Sequence, residues 1–207
     1  MKLLVLLFAV STAVSGLVID RDNSLPPANE VYIQDVKWAG SGCPAGSVSR
    51  SLSNDKQTVT LMFDKYMAAI GPDVKLTESY KNCQLNLKLK TPPGWTYTIH
   101  RTQYRGYTTL DDGVSATQKS VYYFSGDTNQ WTAQTTFKGP YAADYHFWDD
   151  IKKETLVFCK CGVTTALNIN TSLRMQSKNV KKFGGLITTD SIDHKVYHVL
   201  GIQWKKC

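Results

Sequence analysis

Apolar and polar positions alternate with a period of two along much of the chain. In residues 83–90, Cys83, Leu85, Leu87 and Leu89 fall on one side and Gln84, Asn86, Lys88 and Lys90 on the other. Residues 95–104 set Trp95, Tyr97 and Ile99 against Thr96, Thr98 and His100. Residues 130–137 set Trp131, Ala133 and Phe137 against Gln130, Thr132 and Gln134. Leu167, Ile169, Leu173 and Met175 align in 166–175, and Val196, Leu200, Ile202 and Trp204 in 195–204. Successive side chains of a strand point to opposite faces, so each run predicts a strand with one buried face. Residues 58–71 fit a helix or a strand; the alternation of Val59, Leu61 and Phe63 favours the strand. Turn chemistry separates the runs at Pro92-Pro93-Gly94, Asp112-Gly113, Gly126-Asp127, Gly139-Pro140 and Gly184-Gly185. About ten strands with short connections predict an all-β, single-domain antiparallel β-sandwich, jelly-roll-like, rather than a parallel sheet.

The ends behave differently. Residues 1–16 place Lys2 before the apolar run Leu3–Val10 and the small residues Val14, Ser15 and Gly16. That layout is a secretory signal peptide. Residues 17–30 carry Pro26-Pro27 and no periodicity, which predicts a flexible arm ahead of a domain over 31–207. No later stretch reaches the ~18 apolar residues of a membrane span, so a soluble, secreted chain is expected. Removing Lys2 with the leader takes the formal charge from +7 to +6. The remaining basic residues are scattered in pairs such as Lys152-Lys153, Lys181-Lys182 and Lys205-Lys206, a pattern of solubility rather than of nucleic-acid binding.

Export also governs the five cysteines, for which disulfides are the default. On an extended strand Cys159 and Cys161 share a face at about 6–7 Å, too far to bridge each other without a turn. Each must look to a neighbouring segment, and only one can take Cys207. Cys43 is expected to pair with Cys83, and the odd cysteine, expected at Cys159, is either a buried thiol, the commoner outcome, or an intermolecular handle. The one-residue gap lacks the reach of a zinc knuckle. His194 and His198 would lie roughly 13 Å apart on a strand. No metal and no cofactor are expected.

Residues 98–113 hold the most suggestive chemistry. Tyr104, Arg105 and Tyr107 surround Gly106, and Asp111 and Asp112 follow. With Trp95 and Tyr97 these form a candidate ligand-binding set, since aromatic faces stack on sugars while Arg and Asp hydrogen-bond hydroxyls. The bland alternative is a strand with half-buried tyrosines and a glycine at a bulge or close backbone approach. Phe147-Trp148-Asp149-Asp150 carries the same ambiguity. Asn170-Thr171-Ser172 is an N-glycosylation sequon. A polysaccharide hydrolase or lyase would draw on Asp111, Asp112, Asp149 or Asp150 with His100 or His146, although turn duty explains the aspartates more simply.

Several segments together resemble a family of exported, mainly fungal and some bacterial proteins, domain of unknown function 4360. The matching stretches are AGSGCPAGS (39–47), YKNCQLNLKL (80–89), PPGWTY (92–97), YRGYTTLDDG (104–113), CGVTTALNINTSLR (161–174) and QWKKC (203–207). The resemblance implies a compact secreted β-domain with cysteines matching Cys43, Cys83, Cys161 and Cys207. It supports a Cys161–Cys207 bond and leaves Cys159 as a departure; it transfers no catalytic residue. The expectation is a non-enzymatic extracellular protein, wall-associated or host-directed (effector-like), binding a cell-wall glycan or a host protein. A polysaccharide-acting enzyme is the alternative.

Overall fold

The computed structural model describes residues 25–153, 156–188 and 196–207. Residues 1–24, which hold the expected signal peptide and part of the expected arm, lie outside them. Among the described residues twelve strands run in chain order: β1 (Ile33–Ala39), β2 (Val48–Leu52), β3 (Thr58–Phe63), β4 (Met67–Ile70), β5 (Tyr80–Leu89), β6 (Trp95–Leu110), β7 (Val114–Phe124), β8 (Trp131–Lys138), β9 (Tyr141–Asp150), β10 (Ala166–Ser177), β11 (Gly185–Thr188) and β12 (Val196–Lys206). The described helical structure is two short 3-10 turns, Ala28–Glu30 and Leu76–Ser79.

The strands form two antiparallel sheets. One has the order β1-β5-β10-β7-β8; the other runs β2-β3-β12-β6-β11-β4, with β9 added on β6. The all-β sandwich expected from the alternation is present, with twelve strands in place of about ten. Its core is the set of apolar positions that period two singles out. Leu85, Leu87, Leu167 and Ile169 of the first sheet are buried, as are Val59, Leu61, Leu200 and Ile202 of the second. Residues 58–71 are indeed extended, divided into β3 and β4.

β6 organises the second sheet. It pairs with β12 along Trp95–Arg105 and with β11 along Thr108–Leu110, while β9 takes its other edge along Arg101–Leu110. Gly201 pairs with Arg101 and Ile202 with Ile99, so His100 is an extra residue in the ladder. Such a bulge shifts the inward phase by one. Tyr97 and Ile99 are buried before it, Thr102 and Tyr104 after it.

The β6 glycine is a close backbone approach. A Cβ on Gly106 would overlap the Thr188 carbonyl oxygen and lie 2.6 Å from the ring of Tyr145. Tyr145, the register partner of Gly106, donates its hydroxyl hydrogen bond to Thr188 O at 2.6 Å. Gly106→Ala is therefore expected to cost about 1–2 kcal/mol through overpacking, read as a lower urea midpoint at unchanged slope.

Both disulfides link segments remote in sequence. Cys43–Cys83 joins the end of β1 to β5 with Cα atoms 5.5 Å apart, and Cys161–Cys207 ties a turn to the end of β12 at 6.1 Å. Cys159 is a free, buried thiol. The segment around it extends the sheet along the start of β6: Cys159 N donates to Tyr97 O and Gly162 N to Trp95 O. Thr96 and Thr98 donate to the carbonyls of Cys159 and Val157, both at 2.6 Å. That covering segment is why both threonines are buried on a face that alternation alone would leave exposed.

Candidate functional site

Pairing of β6 with β9 brings together the two suggestive stretches of sequence. The register matches Arg101 with Asp150, Gln103 with Trp148, Arg105 with His146 and Tyr107 with Asp144. Residues paired across a ladder project to the same face. The intervening β9 residues Tyr145 and Phe147 pack inward against Phe137 of β8, at ring separations of 5.0 and 5.4 Å. The eight paired residues consequently form a strip on the outer face of the second sheet.

Trp148 is the strip's centre and is 49% exposed. The Arg101 guanidinium lies 5.1 Å from the Trp148 ring centroid, and the His146 ring meets the indole edge-on at 5.7 Å. Arg101 also grips Asp150 with two hydrogen bonds, that from Nη2 being 3.2 Å long. The Arg101 guanidinium holds the Asp150 carboxyl below its usual range, and Asp150 raises Arg101 in return. Gln103 contacts His146 Nε2. These contacts hold the indole between two charged or polar neighbours, leaving its free surface to solvent. Two arginines face two aspartates on the strip, a formal balance.

The other predicted residues lie elsewhere. Tyr97 and Tyr104 are core residues, with 0% and 4% exposure, and cannot meet a ligand at the surface. The hydrophobic effect and the bulge explain this: each faces the opposite sheet. Trp95 is half-buried at the far end of β6, where Lys206 sits over its ring at 5.8 Å. Asp111 accepts the Gly184 N–H at 2.8 Å, and its own carbonyl accepts from Val114 N, which is the turn role. Asp112 is exposed beside it in the β6–β7 turn. Arg105 and Tyr107 do reach the strip, half-buried.

The carboxylates of the enzymatic alternative are dispersed. Asp111 and Asp112 follow the Leu110 end of β6, whereas Asp149 and Asp150 face its residues 101 and 102. The ends are about 30 Å apart at ~3.3 Å per residue. Asp149 and Asp150 point to opposite faces of β9. Asp149, raised by burial and by Asp150, borders a cleft with Tyr104, Gln118 and Phe147 that is too tight for a water-sized group. His100 is lowered by burial and by Arg101. A pair of carboxylates facing one scissile bond needs about 5–10 Å between them; turn and β9 carboxylates do not meet this. Among the described residues no three His, Cys, Asp or Glu side chains converge as metal ligands. His194, Asp190 and Asp193 lie outside the described residues. His198 points into the core, where its Nε2 bonds the Tyr122 hydroxyl and its ring lies 4.5 Å from that of Tyr104.

Sequence reasoning left Trp148, Arg101, Gln103 and Asp144 out of the binding set. The signal was available: Tyr141, Tyr145 and Phe147 alternate with Asp144, His146 and Trp148. What no single run displays is which stretch pairs with which.

The fold and its two cross-links define a disulfide-stapled extracellular β-sandwich. The chain belongs to the DUF4360 family, domain of unknown function, whose match covers residues 29–207. It is 43% identical over 198 residues to an uncharacterized secreted protein of Arthroderma benhamiae, covering 91% of this chain and 80% of that one. The protein is secreted, as its relative and its disulfides show. Among solved structures, it is similar to TmCBM61 in complex with β-1,4-galactotriose: TM-score 0.27, 12% identity, 84% of this chain and 90% of that one. A family 11 carbohydrate-binding module from Clostridium thermocellum, in complex with a β-1,3-1,4-mixed-linked tetrasaccharide, gives TM-score 0.27, 7% identity, and 82% and 86% coverage. Overlaps this slight carry no argument about ligand. Among the described residues no helix is long and apolar enough to cross a membrane.

Proposed function

We propose that this is a non-catalytic extracellular protein that binds an uncharged cell-wall glycan on the outer β6–β9 strip. The observation that carries the reading is the exposed indole of Trp148, flanked by Arg101, Gln103 and His146 on the paired strands β6 and β9, with Tyr107 further along the strip. An indole face packs against the C–H face of a sugar ring. Amide, guanidinium and imidazole groups on either side hydrogen-bond its hydroxyls. The balance of two arginines and two aspartates suits a neutral polymer better than an acidic one. The dispersal of the carboxylates supports binding without turnover. A wall-associated role follows more directly from this chemistry than a host-directed one.

The test is retention of the mature protein on insoluble β-glucan and chitin. Trp148→Ala is expected to weaken retention about 10-fold or more, as loss of a central aromatic anchor does. Its melting temperature should move little, because the side chain is half exposed. Unchanged retention of the alanine variant, or release of soluble sugar by the wild type, overturns the reading.

A further inference from the structure

The opposite face of the molecule differs in charge and shape. On β5, β10, β7 and β8 the outward positions carry side-chain amides and hydroxyls in register: Asn170 pairs with Gln84, and Ser172 with Asn82 and Lys119. One row further, Arg174 pairs with Tyr80 and Thr117, and Thr117 hydrogen-bonds Thr136 at 2.9 Å. Cations at the outward positions of these strands include Lys37, Lys88, Lys119, Lys138 and Arg174, with Lys178 just past β10; of the carboxylates, Asp35 on the outermost strand lies 3.8 Å from Lys37, and Asp112 stands at the sheet's end.

Two concavities lie on this face. One, of about 350 Å³, is lined by Asn82, Gln84, Lys119, Asn170 and Ser172. The other, of about 490 Å³, lies at the sheet's end between Ser115, Lys138, Gln176 and Lys178, with Asp112 at its border. Asn170 and Gln176 are both on β10, so the two hollows lie along one strand about 20 Å apart at ~3.3 Å per residue. Between them stands Arg174, exposed, its guanidinium 5.6 Å from the Tyr80 ring.

We propose that this trough along β10 is a second binding site, taking an extended acidic polysaccharide with uronate carboxylates. The length fits about four sugar units. Lys119, Arg174, Lys138 and Lys178 are spaced along it to meet repeated carboxylates, and the amide ladder between them meets hydroxyls. With Tyr80 the one aromatic among the residues lining the two hollows, the trough lacks the stacked aromatic platform that single-stranded nucleic acid uses. Because the strip around Trp148 lies on the other sheet's outer face, the two sites are independent, and this inference does not rest on the first.

The experiment uses mature protein made in an oxidising bacterial periplasm, so that Asn170 carries no glycan. Affinity for polygalacturonate is compared between wild type, K119E/R174E, the uncharged block Ser172→Trp, Trp148→Ala, and K205E/K206E as a charge-matched control. The expected result is a loss of at least 10-fold in K119E/R174E and in Ser172→Trp, with Trp148→Ala and K205E/K206E within 2-fold of wild type and all melting temperatures close. Absence of wild-type binding overturns the inference. So does an equal loss in K205E/K206E, which marks diffuse attraction, or equal affinity for single-stranded DNA or anionic vesicles. If Trp148→Ala loses neutral glycan but keeps polygalacturonate, both readings stand; if Trp148→Ala is neutral everywhere, only the first falls.

Discussion

Replacing Cys43 and Cys83 together with alanine is expected to lower the unfolding free energy by about 4 kcal/mol. The two residues are 40 apart in sequence, and a closed loop of that length removes that much entropy from the unfolded chain in the loop-closure treatment. Both cysteines are 1% exposed, so the cross-link is also part of the core, and its removal leaves space that neighbours must fill. The site is tight: a Cβ on Gly40 would overlap the carbonyl oxygen of Asn82, beside Cys83. A typical domain has a margin of about 5–15 kcal/mol, so the variant should remain folded at 25 °C with a strongly reduced urea midpoint. A change below about 1 kcal/mol would mean that the denatured chain already holds these segments together, and the loop argument would fail.

Acidification gives the second large effect. Burial lowers His198 from its ordinary value to about 3. A histidine whose folded value is depressed contributes stability that is fully present above its unfolded value of ~6.5 and declines as pH falls below it. The slope is about 1.4 kcal/mol per pH unit, so roughly 3 kcal/mol is lost between pH 7 and pH 4. For a chain of this size that is a fall of roughly 6–12 °C in melting temperature. His100, also lowered, acts in the same sense; Asp149, raised, acts in the opposite one. Asp55 and Asp150 are lowered, so their contribution is present above the ordinary carboxylate value and is lost as pH falls below it, which touches only the acid edge of this window. Protonation would put a charge between the rings of Tyr104 and Tyr122, both held in the neutral form by burial. His198→Gln should flatten the dependence of melting temperature on pH between 7 and 4, whatever it costs at pH 7. An unchanged slope would show that His198 titrates normally.

The architecture was readable because burial imposes period two, and Leu85, Leu87, Ile169 and Leu200 obey it without exception. Cysteine arithmetic was readable for the same kind of reason, since export and an inward Cys83 leave few choices. The binding residues were less so. Tyr97 and Tyr104 look like ligand groups in the sequence, yet both rings are buried; Tyr104 satisfies its hydroxyl against Tyr122, whereas the Tyr97 hydroxyl is buried without a hydrogen-bond partner among the described residues. The one-residue bulge at His100 cannot be seen in alternation, though it decides which β6 side chains face out. Trp148 was an ambiguous candidate in the sequence, and the register that sets it beside Arg101 and Gln103 resolves which face it occupies. The trough along β10 is marked in the sequence only by the Asn170-Thr171-Ser172 sequon, which says nothing of a binding surface, and its other residues come from strands spread over the chain.

The order of the strands also constrains how the protein is made. β1 waits for β5, β5 for β10, and β3 finds its partner in β12, close to the last residue. Pairings between such distant segments form slowly. A ribosome delivering this chain into the secretory lumen must therefore release β12 before the second sheet can close. Until then unpaired strand edges stay open to association with other chains, so yield in a foreign host should depend on chaperone supply and temperature more than on codon choice or promoter strength.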